Sequence, residues 1–215
     1  MDATAKRVYR QTSAEQRALE RKQRLLDAAL QLFSSTGYAH STIEALCSEA
    51  KVTTRHFYQA FSSREALLQC LYEQLIQDLQ TALLVAVTVP DLSVSQKIER
   101  LVYALVEHYL QDRRRAQVGV LEVVGASPAV EQRRREVIQG IAQLIQVFMN
   151  QLADDDRIPR HDYRLIALAI VGGINEIMAD WLTNPVLSLD QLAQEMIFAM
   201  HTFMNGAQPL ITAKN

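Results

Sequence analysis

The sequence is poor in the residues that define several protein classes. Its 215 residues include two cysteines, Cys47 and Cys70, which make neither a disulfide framework nor a metal-ligand spacing and suit a reducing compartment. Glycine and proline, the residues that break helices, number only 7 and 5, so helix is favoured throughout. Long apolar runs are missing: LIALAIVGGI, residues 165–174, stops at Asn175 and Glu176, short of the roughly 20 residues a bilayer span needs. The charged opening carries no secretory-leader pattern, and a cytoplasmic protein with no membrane partner is expected. No nucleophile elbow, phosphate-cradling glycine loop or metalloprotease helix occurs, so no enzyme activity and no cofactor are expected. Asp154, Asp155, Asp156 and His161 lack the glycine and twelfth-position glutamate of a calcium loop, and a solvated loop without metal is expected there. No internal repeat, low-complexity tract or sustained strand-like alternation is present.

What remains is apolar periodicity of the helical kind. With 49% hydrophobic residues, the chain can bury a substantial core. Residues 1–11 lack apolar periodicity and read as a mobile basic arm. A long helix to about Thr36 follows, with Leu26, Ala29, Leu30 and Phe33 on one stripe and Gly37 ending it. Net charge is −2, which does not announce a nucleic-acid binder, but its distribution is uneven. The first 69 residues hold ten Lys and Arg against seven Asp and Glu; the remainder holds 12 against 17. Lys6, Arg7, Arg10, Arg17, Arg21, Lys22 and Arg24 cluster near the start, where they would steer towards phosphate.

The organising stretch is TIEALCSEAKVTTRHFYQAFSSREALL, residues 42–68. Ser41 and Glu44 have capping-box spacing, with Ile43, Leu46 and Ala50 on one helical face beyond them. Lys51 and Val52 interrupt the pattern. Thr53 or Thr54 caps a second short helix carrying Arg55, His56, Phe57, Tyr58 and Gln59. Ser62 and Glu65 repeat the capping-box spacing before a long leucine-rich helix that reaches about Val87 and leads out of this region. Two short helices joined this closely form a helix-turn-helix candidate.

The run VTTRHFYQAFSSREAL (residues 52–67), preceded by GYAHSTI (residues 37–43), resembles the DNA-binding signature of the TetR/AcrR family of bacterial transcriptional regulators. Lys51 departs from it, standing where the family's turn commonly carries glycine. The resemblance covers about the first third of the chain and implies an all-α protein. A three-helix DNA-binding domain would occupy residues 1–69, and a larger effector-binding and dimerisation domain residues 70–215. It also implies roles for individual residues. Thr42 meets phosphate with its hydroxyl and the free amides of its helix start. Thr53 and Thr54 open the recognition helix, and Arg55 and His56 follow within reach of base edges. Phe57 faces the core, Tyr58 donates to a phosphate, Gln59 is a further DNA candidate, and Arg64 faces phosphate as the family's basic residue there does. Cys47 is expected to be a small buried apolar residue.

Beyond the motif, helices are expected at residues 95–110, 113–124, from Pro128 past Leu152, at 163–182 and at 189–204. The last two are apolar on more than one face, so each must be buried on several sides. That implies a homodimer through them, in agreement with the resemblance. His108, Tyr109, Phe148, Met149, Asn175 and Trp181 are compatible with a pocket for an unknown small-molecule effector, and Arg134 falls on the apolar arc of its helix. The expected function is therefore a homodimeric regulator on palindromic double-stranded DNA, a repressor released by its effector. The alternative is an architectural or protein-recruiting DNA binder on the same scaffold without a small-molecule ligand.

Overall fold

The computed structural model describes the backbone of residues 3–206 and the side-chain surroundings of residues 14–204. Among these the structure is entirely helical. The first helix, α1, spans Ala3–Ser35. It therefore starts inside the stretch expected as a mobile arm, because Ala, Arg and Gln support helix even without an apolar stripe; Met1 and Asp2 lie outside the described residues. Gly37, at φ +88°, turns the chain into α2 (Ile43–Ala50) and α3 (Thr54–Ala60). A positive φ excludes most side chains, which is why glycine follows the helix end here.

Next, α4 runs unbroken over Arg64–Val87 and carries the chain from the motif into the larger helical part. Its leucines at 67, 68, 71, 75 and 79 are all buried. The helix α5, Val94–Leu105, is opened by a Ser93–Gln96 capping box and continues as a π-helical turn, Val106–Leu110. The short α6, Arg113–Ala116, likewise runs on as a π-helical turn, Gln117–Glu122. Then come α7 (Pro128–Asp154), α8 (Arg164–Thr183) and α9 (Leu189–Gly206). Proline at the first turn of α7 costs nothing, since the amide it removes has no partner there.

One continuous core joins the two parts. Leu25, Ala29 and Phe33 of α1 pack with Leu46, Phe57 and Phe61, and the same cluster extends through α4 to Val102, Tyr109, Trp181 and Leu192. Met149, Ala153, Tyr163 and Ile170 form a smaller cluster between α7 and α8. Polar links tie α7 to α4: Arg133 makes a two-pronged ion pair with Glu73, and Ser127 Oγ donates to Glu65 at 2.8 Å.

Two expected caps are displaced by one residue. Thr42, not Ser41, is extended and accepts from the Ala45 amide; the buried Ser41 hydroxyl donates instead to the Gly37 carbonyl at 2.8 Å. Ser63, not Ser62, accepts from the Ala66 amide. The helix α8 also corrects a sequence expectation. It continues through Asn175 and Glu176 for 20 residues and, alone among the described helices, is long and apolar enough by length and composition to cross a membrane. Only 28% of that window is buried within the protomer, so this helix has an unusually bare apolar side.

Candidate nucleic-acid interface

Packing divides α3 into an inner and an outer face. Phe57 is fully buried, while its neighbour Tyr58 is 57% exposed, as a 100° step per residue requires. Thr53, Thr54, Arg55 and Gln59 are exposed on the same short element. Thr53 is the N-cap: its Oγ1 accepts from the His56 amide at 3.3 Å and lies 3.0 Å from His56 Nδ1. The His56 ring is thereby turned back onto the cap and half-buried, which leaves Arg55 as the freer basic group at this helix start. Thr42, exposed at the start of α2, sets its hydroxyl beside amides that have no helical partner, an arrangement suited to a phosphate oxygen.

Arg64 reaches back to the loop that precedes α2. Its guanidinium donates to the carbonyls of Ala39 (3.4 Å) and Ser41 and lies 4.5 Å from the Tyr38 ring centroid. These contacts brace the loop between α1 and α2. The carbonyls lie 25 and 23 residues away in sequence, which is why periodicity gave no sign of them. Cys47 is on the buried face of α2, and that burial pushes its thiol up, as for an inert apolar residue.

Lys51 closes α2 in the left-handed region, at φ 54° and ψ 47°. An L-residue pays about 1–2 kcal/mol there, partly offset by the greater unfolded-state entropy of glycine. Lys51→Gly is therefore expected to raise folding stability by about 0.5–1 kcal/mol. Urea unfolding at equal protein concentration checks this; a loss of stability would show that the lysine stem contributes more than the strain costs.

The six effector-contact candidates fall in different surroundings, although Tyr109 and Trp181 share the main core cluster. His108 is half-buried beside Arg115, whose Nη1 donates to the His108 carbonyl at 2.9 Å, and it lines an open groove between α4 and α5. Tyr109 is buried in the main core, where burial raises its phenol well above the usual range. Met149 belongs to the α7–α8 cluster. Phe148 is half-buried beneath the Lys97 ammonium at 5.8 Å, and Asn175 is half-buried on α8. Trp181 donates to the Leu187 carbonyl at 2.8 Å and carries the Arg113 guanidinium over its ring. Arg134 is ion-paired to Glu131 at 2.9 Å rather than directed into the core.

A groove of about 1090 Å³ runs between α8 and α9, bordered by Ile166, Gly173, Ile177, Trp181, Phe198 and Phe203. Phe198 is 70% exposed and Leu165 62%. Glu176, Asp180 and Glu195 also border this groove; periodicity announced the excess of apolar residues on these helices, and the structure leaves part of it accessible.

Comparisons with known proteins agree with this layout. The model for bacterial regulatory proteins of the tetR family matches residues 25–71, and that for tetracyclin repressor-like C-terminal domains matches residues 91–200. The HTH-type transcriptional regulator SrpR of Pseudomonas putida is 24% identical over 196 residues, covering 90% of this chain and 87% of the relative. AcrR of Shigella flexneri is 26% identical over 179 residues, covering 80% and 82%. Among solved structures, a TetR-family regulator from Syntrophomonas wolfei superposes with a TM-score of 0.74 at 18% identity, over 91% of this chain and 98% of that one. The FadR regulator of Bacillus subtilis in complex with stearoyl-CoA gives 0.72 at 19% identity, over 83% and 96%. With a family model spanning more than half of its length and the helix-turn-helix in place, the chain belongs to the TetR family of bacterial DNA-binding transcriptional regulators.

Proposed function

We propose that the protein is a cytoplasmic homodimeric repressor that binds a palindromic operator and is released when a small molecule enters residues 70–215. The observation that carries this reading is the two-sidedness of α3. Phe57 anchors it while Thr53, Thr54, Arg55, Tyr58 and Gln59 are left exposed, as a helix entering a major groove requires. Thr42 would add a phosphate contact from α2. Two copies of α3 about 34–36 Å apart would meet successive turns of the same duplex face.

The bare apolar side of α8 and α9 supports the dimer. A second copy packing there would cover Phe198 and Leu165 in a four-helix contact and remove the need for lipid around α8. Phe198→Glu is expected to shift the protein to monomers in sedimentation velocity, because a carboxylate buried in an apolar interface has no partner. A dimer unchanged in that variant would move the interface elsewhere.

Release requires the effector to bind the two conformers of the dimer with different affinity; tight binding alone shifts nothing. Several tetR-type structural relatives bear the name of fatty-acid regulators, and one was solved with stearoyl-CoA. An acyl compound is accordingly the first effector class to test here. Selection of bound duplexes from a random pool at near-physiological salt tests the reading as a whole. A palindrome with half-sites about one turn apart is expected; enrichment without a consensus, lost steeply as salt rises, would favour an architectural binder instead.

A further inference from the structure

The loop between α1 and α2 is gripped from two sides, and one grip comes from the effector part of the chain. The Glu122 carboxylate accepts the backbone N–H of Tyr38 at 2.8 Å. The same carboxylate lies 3.5 Å from where a Cβ on Gly37 would stand, an ordinary contact distance, so it is the left-handed φ of +88° and not lack of space that calls for glycine there. Gln117 Nε2 donates to the other oxygen of Glu122 at 3.3 Å, which orients it. On the opposite side Arg64 holds Ala39 and Ser41. Thr42, the N-cap of α2, is the next residue.

We infer that Glu122 is a positioning residue for DNA binding: through Tyr38 it sets the loop that places Thr42 and α2. Its location explains why the effector part would own this contact. Glu122 ends the π-helical turn Gln117–Glu122, a local geometry often found at functional sites. In the middle of that turn, the Gly119 backbone presses against the buried Tyr109 phenol, so closely that a Cβ would lie 1.6 Å from the hydroxyl oxygen. Tyr109 belongs to the core of the larger helical part. A rearrangement that drives this rigid ring towards Gly119 would push on its backbone, and through it on Glu122 three residues later. The π-turn thus joins the core to the loop by contact alone.

This inference rests on the DNA-binding reading above, and two substitutions test it separately. Glu122→Gln removes the charge but keeps an oxygen in reach of Tyr38; Glu122→Asp keeps the charge but is one methylene too short. Affinity for a duplex selected by the wild-type protein is measured by fluorescence anisotropy, with thermal unfolding of each variant in parallel. Positioning predicts that E122D, which loses the bond, binds about tenfold more weakly, and that E122Q, which keeps a neutral acceptor, loses less, about threefold or under. Repulsion between the carboxylate and DNA predicts the reverse: tighter binding by E122Q and no change in E122D. That pattern, or equal affinity in all three proteins, overturns the inference. So does an E122D variant with a lowered melting temperature but wild-type affinity, since it assigns Glu122 to folding alone. If the wild-type protein selects no duplex, the DNA-binding reading itself fails, and the role of Glu122 falls with it.

Discussion

Replacing Phe57 with alanine is expected to lower folding stability by about 3–5 kcal/mol, the range for truncating a buried phenylalanine. Phe57 is fully buried, 6.2 Å from the Phe61 ring centroid, and shares one cluster with Leu25, Phe33 and Leu46. The helix it anchors has seven residues, too few to persist in water without tertiary packing. The cavity would therefore loosen α3 as well as cost transfer energy. Against a total of about 5–15 kcal/mol for a typical domain, this is a large fraction. Tyr58→Phe one position along removes only an exposed hydroxyl and is expected to change stability by less than about 0.5 kcal/mol. Urea midpoints for the two variants, at matched protein concentration, check the contrast. Similar losses from both would mean that α3 is not packed by the face described here.

The largest effect on recognition is expected from Arg55→Ala. Arg55 is exposed at the start of α3, and a guanidinium there can read a guanine edge with two parallel hydrogen bonds. Its removal is expected to cost about 1–3 kcal/mol of discrimination, roughly a fivefold to 150-fold loss, concentrated at one base pair per half-site. Tyr58→Phe should instead weaken binding alike on every sequence, because a phosphate contact positions the protein without reading a base. Binding of each variant to the selected duplex and to single-base variants of it separates the two roles. Equal, sequence-independent losses from both substitutions would remove Arg55 from the readout set. His56 is expected to matter less for base reading than its neighbour, since its ring already meets the Thr53 hydroxyl.

Much of the packing of α3 was legible in the chain. Phe57 and Tyr58 are adjacent, so one had to face inward and the other outward; the family resemblance told which. Lys51, standing where such turns favour glycine, does adopt a positive φ. The leucine ladder of α4 ran to Val87 as its spacing implied. The caps were less legible. Serine and threonine stand next to each other at 41–42, and two serines stand at 62–63, so spacing alone favoured the pairs Ser41–Glu44 and Ser62–Glu65. In the folded chain, Ser41 is drawn to Gly37, and Glu65 receives Ser127 instead.

The sequence by itself determined the helical elements from α2 onward and the apolar excess on α8 and α9. These follow from periodicity and from interactions three or four residues apart, which the chain carries wherever it folds. Tertiary structure alone decided that Arg64 braces a loop and that Glu122 reaches Tyr38 from 84 residues away. Such partners are chosen when helices dock, and the position of a distant carboxylate or carbonyl leaves no trace in the local pattern of residues.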